Sequence, residues 1–424
     1  MKFIYKLLSL SLAIACLSGC SAANTEIASS SAATATVTPT TDSTEVPASN
    51  NVFTSAGDGL YVTTDSGIYE LQTVFPASAN IFYTDANTKE RIFLCANPNC
   101  THADESCPSY IATPSAMFPP MLLRVGDQLL VVFTETTDSS NPHGMLMNMD
   151  GSNRRTVFEL ASNQYMQGGF CTSGNDLYFD LYEINDSGNV TYQLWYVSFE
   201  NGTSEKVMDL GSDSDHYSLC DGVNNELCFN HLSSDGISYC MYNPQSKTIS
   251  DPFFVDSSVS GNSMIQDGYL FVLDEQASSV QRIRLSDKEQ ASASFTVKEG
   301  FGAPSMRYLF DGKLMITEAQ TTASDIPTDG SYGVCSYILD FGTRNCTEFT
   351  LQTPYNNRPV YVLTTIGDAC YVATDYKTYT PTSVSEDGTV SNFDYVANIY
   401  AFITKQDYIN SNQNGYSMVK DAFE

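Results

Sequence analysis

Seven times along this chain a turn-forming group of Gly, Asp or Asn leads into a short apolar run: GDGLYV at 57, GDQLLVV at 126, GNDLYF at 174, NNELCF at 224, DGYLFV at 267, DGKLMI at 311 and GDACYV at 367. No other feature restricts the fold as strongly, because a recurrent module that cannot cover both of its faces must stack on copies of itself. Aligning the units on Leu60, Leu129, Leu177, Leu227, Leu270, Leu314 and Cys370 gives spacings of 69, 48, 50, 43, 44 and 56 residues. Most lie near the ~40–50 residues of a four-stranded blade, and the two long units require insertions.

Each unit continues alike. A further apolar strand precedes a polar turn, as in HGMLMNMDGSNRRTVFEL (143–160) and VQRIRLSDKEQASASFTV (280–297), and pairs such as Asp150-Gly151 and Asn201-Gly202 suit hairpins. Upstream of each GD-type turn lies one more apolar run, such as MLLRV at 121–125. The pattern predicts an all-β chain, a seven-bladed β-propeller with four antiparallel strands per blade over residues 53–424. A sandwich or a pair of barrels is the competing arrangement, since many short strands alone say only all-β. Helical periodicity is nearly absent, which argues against a two-lobed α/β solute-binding protein.

The N-terminus, MKFIYKLLSLSLAIACLSGC, sets Lys2 and Lys6 around an apolar stretch too short to span a bilayer and ends in small residues. Residues 1–19 read as an export signal. The LSGC end resembles the lipobox of bacterial lipoproteins, which implies cleavage before Cys20 and a lipid on its sulfur. Two acyl chains hold a protein stably to a membrane, so the expected location is the cell membrane, lipid-anchored and facing outside the cytoplasm. The segment 20–52 is almost wholly Ser, Thr, Ala and Pro and cannot recover its ordering entropy. As a flexible linker it would reach roughly 30 Å. A formal charge of −29, from 49 acidic and 20 basic residues, excludes phosphate backbones as partners. No nucleic acid is expected, and the chain is expected to be a monomer.

The run LMNMDGSNRRTVFEL (146–160) resembles TolB-like propeller repeats. The stretch IFYTDANTKERIFLCANPNCTHADESC (81–107) is similar to a signature of propeller lipoproteins from anaerobic Gram-positive gut bacteria, in which a Tyr-Asp-x-x-Thr turn precedes Leu-Cys-x-x-Pro-x-Cys-x-His and a later Cys. The resemblance implies the fold and an exported address. It implies no particular chemistry.

Three cysteines and one of only four histidines fall within Leu94–Cys107, spaced as Cys95-x4-Cys100-x-His102-x4-Cys107. Four such ligands on a short turn suit a tetrahedral structural zinc, with Asn97 and Pro98 letting the chain fold back. A disulfide among Cys95, Cys100 and Cys107 suits an exported protein equally but leaves one thiol over and His102 without a role. Free thiols are the third alternative, and all three stay open. Elsewhere Cys370 reads as a core residue, Cys228 and Cys240 fall on opposite faces of neighbouring strands, and Cys171 with Cys220 is a conceivable bridge between adjacent blades.

In a propeller, loops between second and third strands and the connections between blades open on one face. Long loops of the first kind are expected at 134–143, 317–332 and 373–398, in units 2, 6 and 7, with the connection from unit 1 to unit 2 carrying the cysteine cluster onto the same arc. The longest offers Asp375, Tyr376, Tyr379, Asp394 and Tyr395 as candidate ligand-binding residues, because tyrosine presents a flat apolar body and a polar tip. Asp213, Asp215 and His216 are a weaker cation candidate, better read as an acidic surface turn. His143 and His231 read as polar surface or turn residues. No metalloprotease, nucleophile-elbow, phosphate-loop or EF-hand pattern occurs. The expected function is binding of a glycan or peptide, or scaffolding of envelope proteins. The alternative is a polysaccharide hydrolase or lyase with carboxylates at the channel mouth, which would leave no short motif.

Overall fold

The apolar runs form strands whose starting points follow from turn chemistry. A two-residue turn between right-twisted strands needs left-handed backbone, and Gly126, Asn224 and Asp267 adopt φ of 55°, 54° and 51°. The strand that follows is covered on both sides: in Gln128–Phe133 every residue after the first is buried. Continuous apolarity there, in place of alternation, is what two buried faces demand.

The computed structural model describes residues 53–55, 59–74, 78–113, 119–137, 140–256, 262–320, 333–379, 382–384, 390–392 and 395–421. Among these, the strands form four-stranded antiparallel sheets in units 2, 5, 6 and 7, a six-stranded sheet about unit 1, a ten-stranded sheet that contains units 3 and 4, and one two-stranded pair. Unit 1 comprises Tyr61–Thr63, Gly67–Val74, Ser78–Asp85 and Glu90–Phe93. Unit 2 comprises Met121–Val125, Gln128–Phe133, His143–Asn148 and Arg155–Glu159. Units 3 to 7 occupy 164–212, 215–249, 263–294, 301–349 and 362–418. Units 3 and 4 join into one larger sheet, but only through Gly211↔His216 and Ser212↔Asp215.

The core lies between units. Leu129 packs with Tyr69 and Ile81 of unit 1, whereas its neighbour Leu130 packs with Phe170 and Leu177 of unit 3. Comparable clusters join units 3 to 4, 4 to 5, 5 to 6 and 6 to 7. A last cluster joins Tyr371, Tyr400 and Phe402 of unit 7 to Ile68 of unit 1, so the stack returns to its start. The protein is a β-propeller, held by apolar contact between neighbouring sheets.

Polar groups reinforce the closing seam. Thr63 and Thr364 hydroxyls meet at 2.9 Å, and Tyr400 donates to Glu70 Oε1. Arg91, also buried, bonds Glu70 and reaches Asp421 of the C-terminal strand Lys420–Asp421, which runs parallel to Glu90–Arg91. Burial opposes the Arg91 charge, yet Glu70 beside it holds the guanidinium above its ordinary range. At the other terminus, Thr54–Ser55 pairs with the first strand of unit 3, on its channel edge. Phe53 seats against Tyr178 with ring centroids 5.3 Å apart, and at Gly222 any Cβ would come within 2.5 Å of it.

Three expectations need correction. In units 2 to 7 the aligned residue (Leu129 through Cys370) is fully buried, but Leu60 is 40% exposed. In unit 1 the GDGLYV run leads into the first strand, Tyr61–Thr63, and Gly67-Ile68 takes the place of the other units' turn-plus-Leu. Second, the cysteine cluster does not open onto the channel face. Tyr110–Ala112 pairs with Ser78–Asn80, resuming the outermost edge that Glu90–Phe93 began, so 94–109 is an excursion from the rim of unit 1. Third, much of 373–398 is paired: Ala369–Tyr379 and Tyr395–Thr404 form a long hairpin.

Candidate functional site

Backbone turns fold the cysteine segment onto itself. The Asn97 carbonyl accepts from Cys100 N–H and its side chain from Asn99 N–H, and the Asp104 carbonyl accepts from Cys107 N–H. His102 sits in left-handed backbone at φ 55°. That conformation lays its ring on Phe93, with centroids 4.0 Å apart and planes 11° from parallel. The ring's Nδ1 then lies 3.2 Å from Cys107 Sγ.

The ligand atoms of Cys95, Cys100, His102 and Cys107 all fall within 4.8 Å of one another. A tetrahedral ion with sulfur at ~2.3 Å would set the sulfurs about 3.8 Å apart, a contraction that side-chain torsions can supply. The described cysteines are all free thiols. Burial works to raise the Cys107 thiol, but hydrogen bonds from Ser109 and His102 outweigh it and bring it down to about 6. Burial, with Cys107 and Cys100 beside it, pushes Cys95 up to about 11. One thiolate poised to form among convergent soft donors is a donor set that fits a metal ion.

An outer layer fixes this geometry. Ser109 Oγ lies 3.1 Å from Cys107 Sγ and donates to Asn80 Oδ1 on the third strand of unit 1. Arg154 of unit 2 donates to the Tyr110 and Pro108 carbonyls. The excursion is therefore tied to two units at once.

The candidate ligand-binding residues separate. Asp375 and Tyr376 lie on the second strand of unit 7, against the connection from unit 6: Asp375 Oδ1 accepts from Tyr355 N–H at 3.0 Å, and the Tyr376 and Tyr355 rings stand 5.6 Å apart. Tyr379 and Tyr395 are opposite each other across the hairpin, and Asp394 lies outside the described residues. Residues missed from the sequence complete this edge: Tyr355, Tyr361 and Arg307, whose guanidinium lies 4.4 Å over the Tyr361 ring. A signal existed for the tyrosines, since PYNNRPVYV (354–362) places Tyr355 between Pro354 and Pro359 and Tyr361 just beyond them.

The buried carboxylates hold the ring together. Asp180 accepts from Gly169 N–H of its own unit and Leu219 N–H of the next, and Asp221 accepts from Gly222 and Gly268 N–H across units 4 and 5. Glu318 accepts from Lys298 N–H, with its Oε1 left without a partner. His231 binds Asp215 at 2.6 Å while His216 stacks on Tyr192, so the 212–216 turn is divided among other contacts. His143 stacks on Phe133 and bonds the Asn141 carbonyl. Cys228 and Cys240 fall in different clusters, on opposite faces. On the opposite end of the channel a cleft of about 410 Å³ contains Lys89 and Arg124, but Lys89 bonds the Ala86 carbonyl and Arg124 pairs with Asp127.

No family model matches this sequence, and no curated protein matches it. Solved structures similar to the chain include tricorn protease (11% identity, TM-score 0.32, 81% of this chain and 35% of that one). They also include TolB from Acinetobacter baumannii (9%, 0.33, 87% and 79%) and oligogalacturonate lyase from Vibrio parahaemolyticus (9%, 0.39, 82% and 91%). The chain spans well under half of tricorn protease, and at these values the likeness concerns the fold alone.

Proposed function

We propose that this protein is a lipid-anchored, extracytoplasmic β-propeller that binds a glycan or peptide ligand, or holds an envelope partner, where units 6 and 7 meet. The observation that carries the proposal is the aromatic edge: Tyr355 stands 53% exposed against Tyr376, its backbone pinned by Asp375. A rigid, exposed tyrosine offers large contact area at low entropic cost, which suits sugar rings and peptide segments. Anchoring rests on the signal and Cys20, and the acidic charge suits a neutral or locally recognised ligand. Zinc at Cys95, Cys100, His102 and Cys107 would have four protein ligands and a closed shell, hence a structural role as a staple on the rim. Glu70, Asp180 and Asp221 are taken up by Arg91 and backbone amides, which favours binding over hydrolysis or lysis at those carboxylates, while Glu318 keeps one buried oxygen without a partner.

The test is a glycan and peptide array probed with the exported chain, followed by product analysis of every hit. Binding without turnover is expected, weakened about tenfold by Tyr355→Ala or Tyr376→Ala, a loss of ~1.4 kcal/mol. Turnover of a bound sugar would replace the proposal with the hydrolase or lyase alternative, and hits indifferent to both substitutions would remove the site.

A further inference from the structure

The junction of units 6 and 7 carries an exposed guanidinium stacked on a tyrosine. Arg307 lies on the first strand of unit 6, Phe301–Tyr308, with its guanidinium over the Tyr361 ring, and like Arg154, Arg155 and Arg282 it pairs with no carboxylate among the described residues. Tyr376 lies close to Tyr361 and Arg307, and its ring stands 5.6 Å from that of Tyr355, which extends the same surface outward. Asp375, the nearby carboxylate, is turned to the Tyr355 amide.

We propose that Arg307, Tyr361, Tyr376 and Tyr355 form a subsite for a sugar acid, a pyranose ring bearing a carboxylate. This rests on the ligand-binding proposal above and names its ligand class. The planar guanidinium donates two parallel hydrogen bonds to a carboxylate, which an ammonium cannot match. Tyrosine faces take the aliphatic face of the ring. Stacking on Tyr361 orients the guanidinium in advance, so little freedom is lost on binding. The overall negative charge repels the ligand at long range, so association should quicken as salt rises, while the contact itself is local.

The test uses the full exported chain and two probes: a glucuronic-acid oligosaccharide and its carboxyl-reduced, neutral counterpart. Calorimetry should show the acidic probe bound at least about tenfold more tightly. Arg307→Gln should remove that preference, Arg307→Lys should restore it only in part, and Lys206→Gln, remote on unit 3, should leave it unchanged. A sulfated oligosaccharide bound as tightly as the carboxylate would overturn the sugar-acid assignment. Equal binding of acidic and neutral probes, or indifference to Arg307→Gln, overturns the inference while the Tyr-dependent site stands. Absence of binding by every array ligand overturns both.

Discussion

Replacing Arg91 by Met tests the buried charge pair of unit 1 beside the closing seam. The guanidinium is 3% exposed, with Nε 3.0 Å and Nη2 2.9 Å from Glu70 Oε2, and it lies 3.9 Å over Phe82. Hydrogen bonds to charged groups contribute ~1.5–3 kcal/mol each, and a desolvated cation–π contact about 2. Desolvating both ions costs several kcal/mol in return, so the pair itself is worth little. Methionine restores most of the apolar contact on Phe82, but among the described residues it leaves the buried Glu70 carboxylate with only Tyr400 as a side-chain donor. The expected loss is therefore ~3–5 kcal/mol, the penalty for an uncompensated charge. Urea unfolding followed through Trp195, the sole tryptophan, measures it. The double variant Glu70→Leu/Arg91→Met should recover more than half of the loss, because no charge remains stranded. A cost below about 1 kcal/mol for Arg91→Met, or a double variant as unstable as the single one, would refute the reading that Arg91 compensates the buried Glu70 charge beside the seam.

Ser109→Ala removes an outer partner of Cys107 and should weaken zinc binding about 10–100-fold in competition with a chromophoric chelator; unchanged affinity would detach Ser109 from the site. Ile68→Ala should cost ~2–5 kcal/mol and Leu60→Ala within about 0.5 in thermal unfolding; the reverse order would reinstate the alignment on Leu60. Asp180 is 2% exposed, and burial pushes its carboxyl up to about 7 against the hydrogen bonds from Leu219 and Gly169. With an unfolded pKa near ~3.9, the folded state holds the proton more tightly, so this contribution is full below about pH 4 and is lost as pH rises through about 7. Urea midpoints of the natural chain should drop from pH 5 to pH 8 relative to Asp180→Asn, and a pH-independent difference would mean that Asp180 does not titrate there.

The fold was legible because its signals are local. Left-handed turn residues followed by doubly buried strands, as at Gly126 and Asn224, need no distant partner to be recognised. The error at Leu60 has the same origin: GDGLYV satisfies the local pattern, and only packing reveals that Ile68 is the buried counterpart. The convergence of Cys95, Cys100, His102 and Cys107 was legible for a related reason, since the four lie close in sequence. The tyrosine edge of units 6 and 7 was half legible. Tyr376 and Asp375 stood out as residues, whereas Tyr355 and Arg307 meet them only once units 6 and 7 pack together.

By itself, then, the order of residues determined the repeat, the strands, the four converging ligands of the cysteine segment and the acidic character of the surface. Each depends on neighbours within a few tens of residues. The tertiary structure alone decided that the cysteine excursion hangs from the rim, that Arg91, paired with Glu70 inside unit 1, also meets Asp421 of the C-terminal strand, and that Arg307 of unit 6 stands over the Tyr361 ring. Those contacts join residues up to 330 positions apart in the chain, a separation that ring closure bridges and no local pattern encodes.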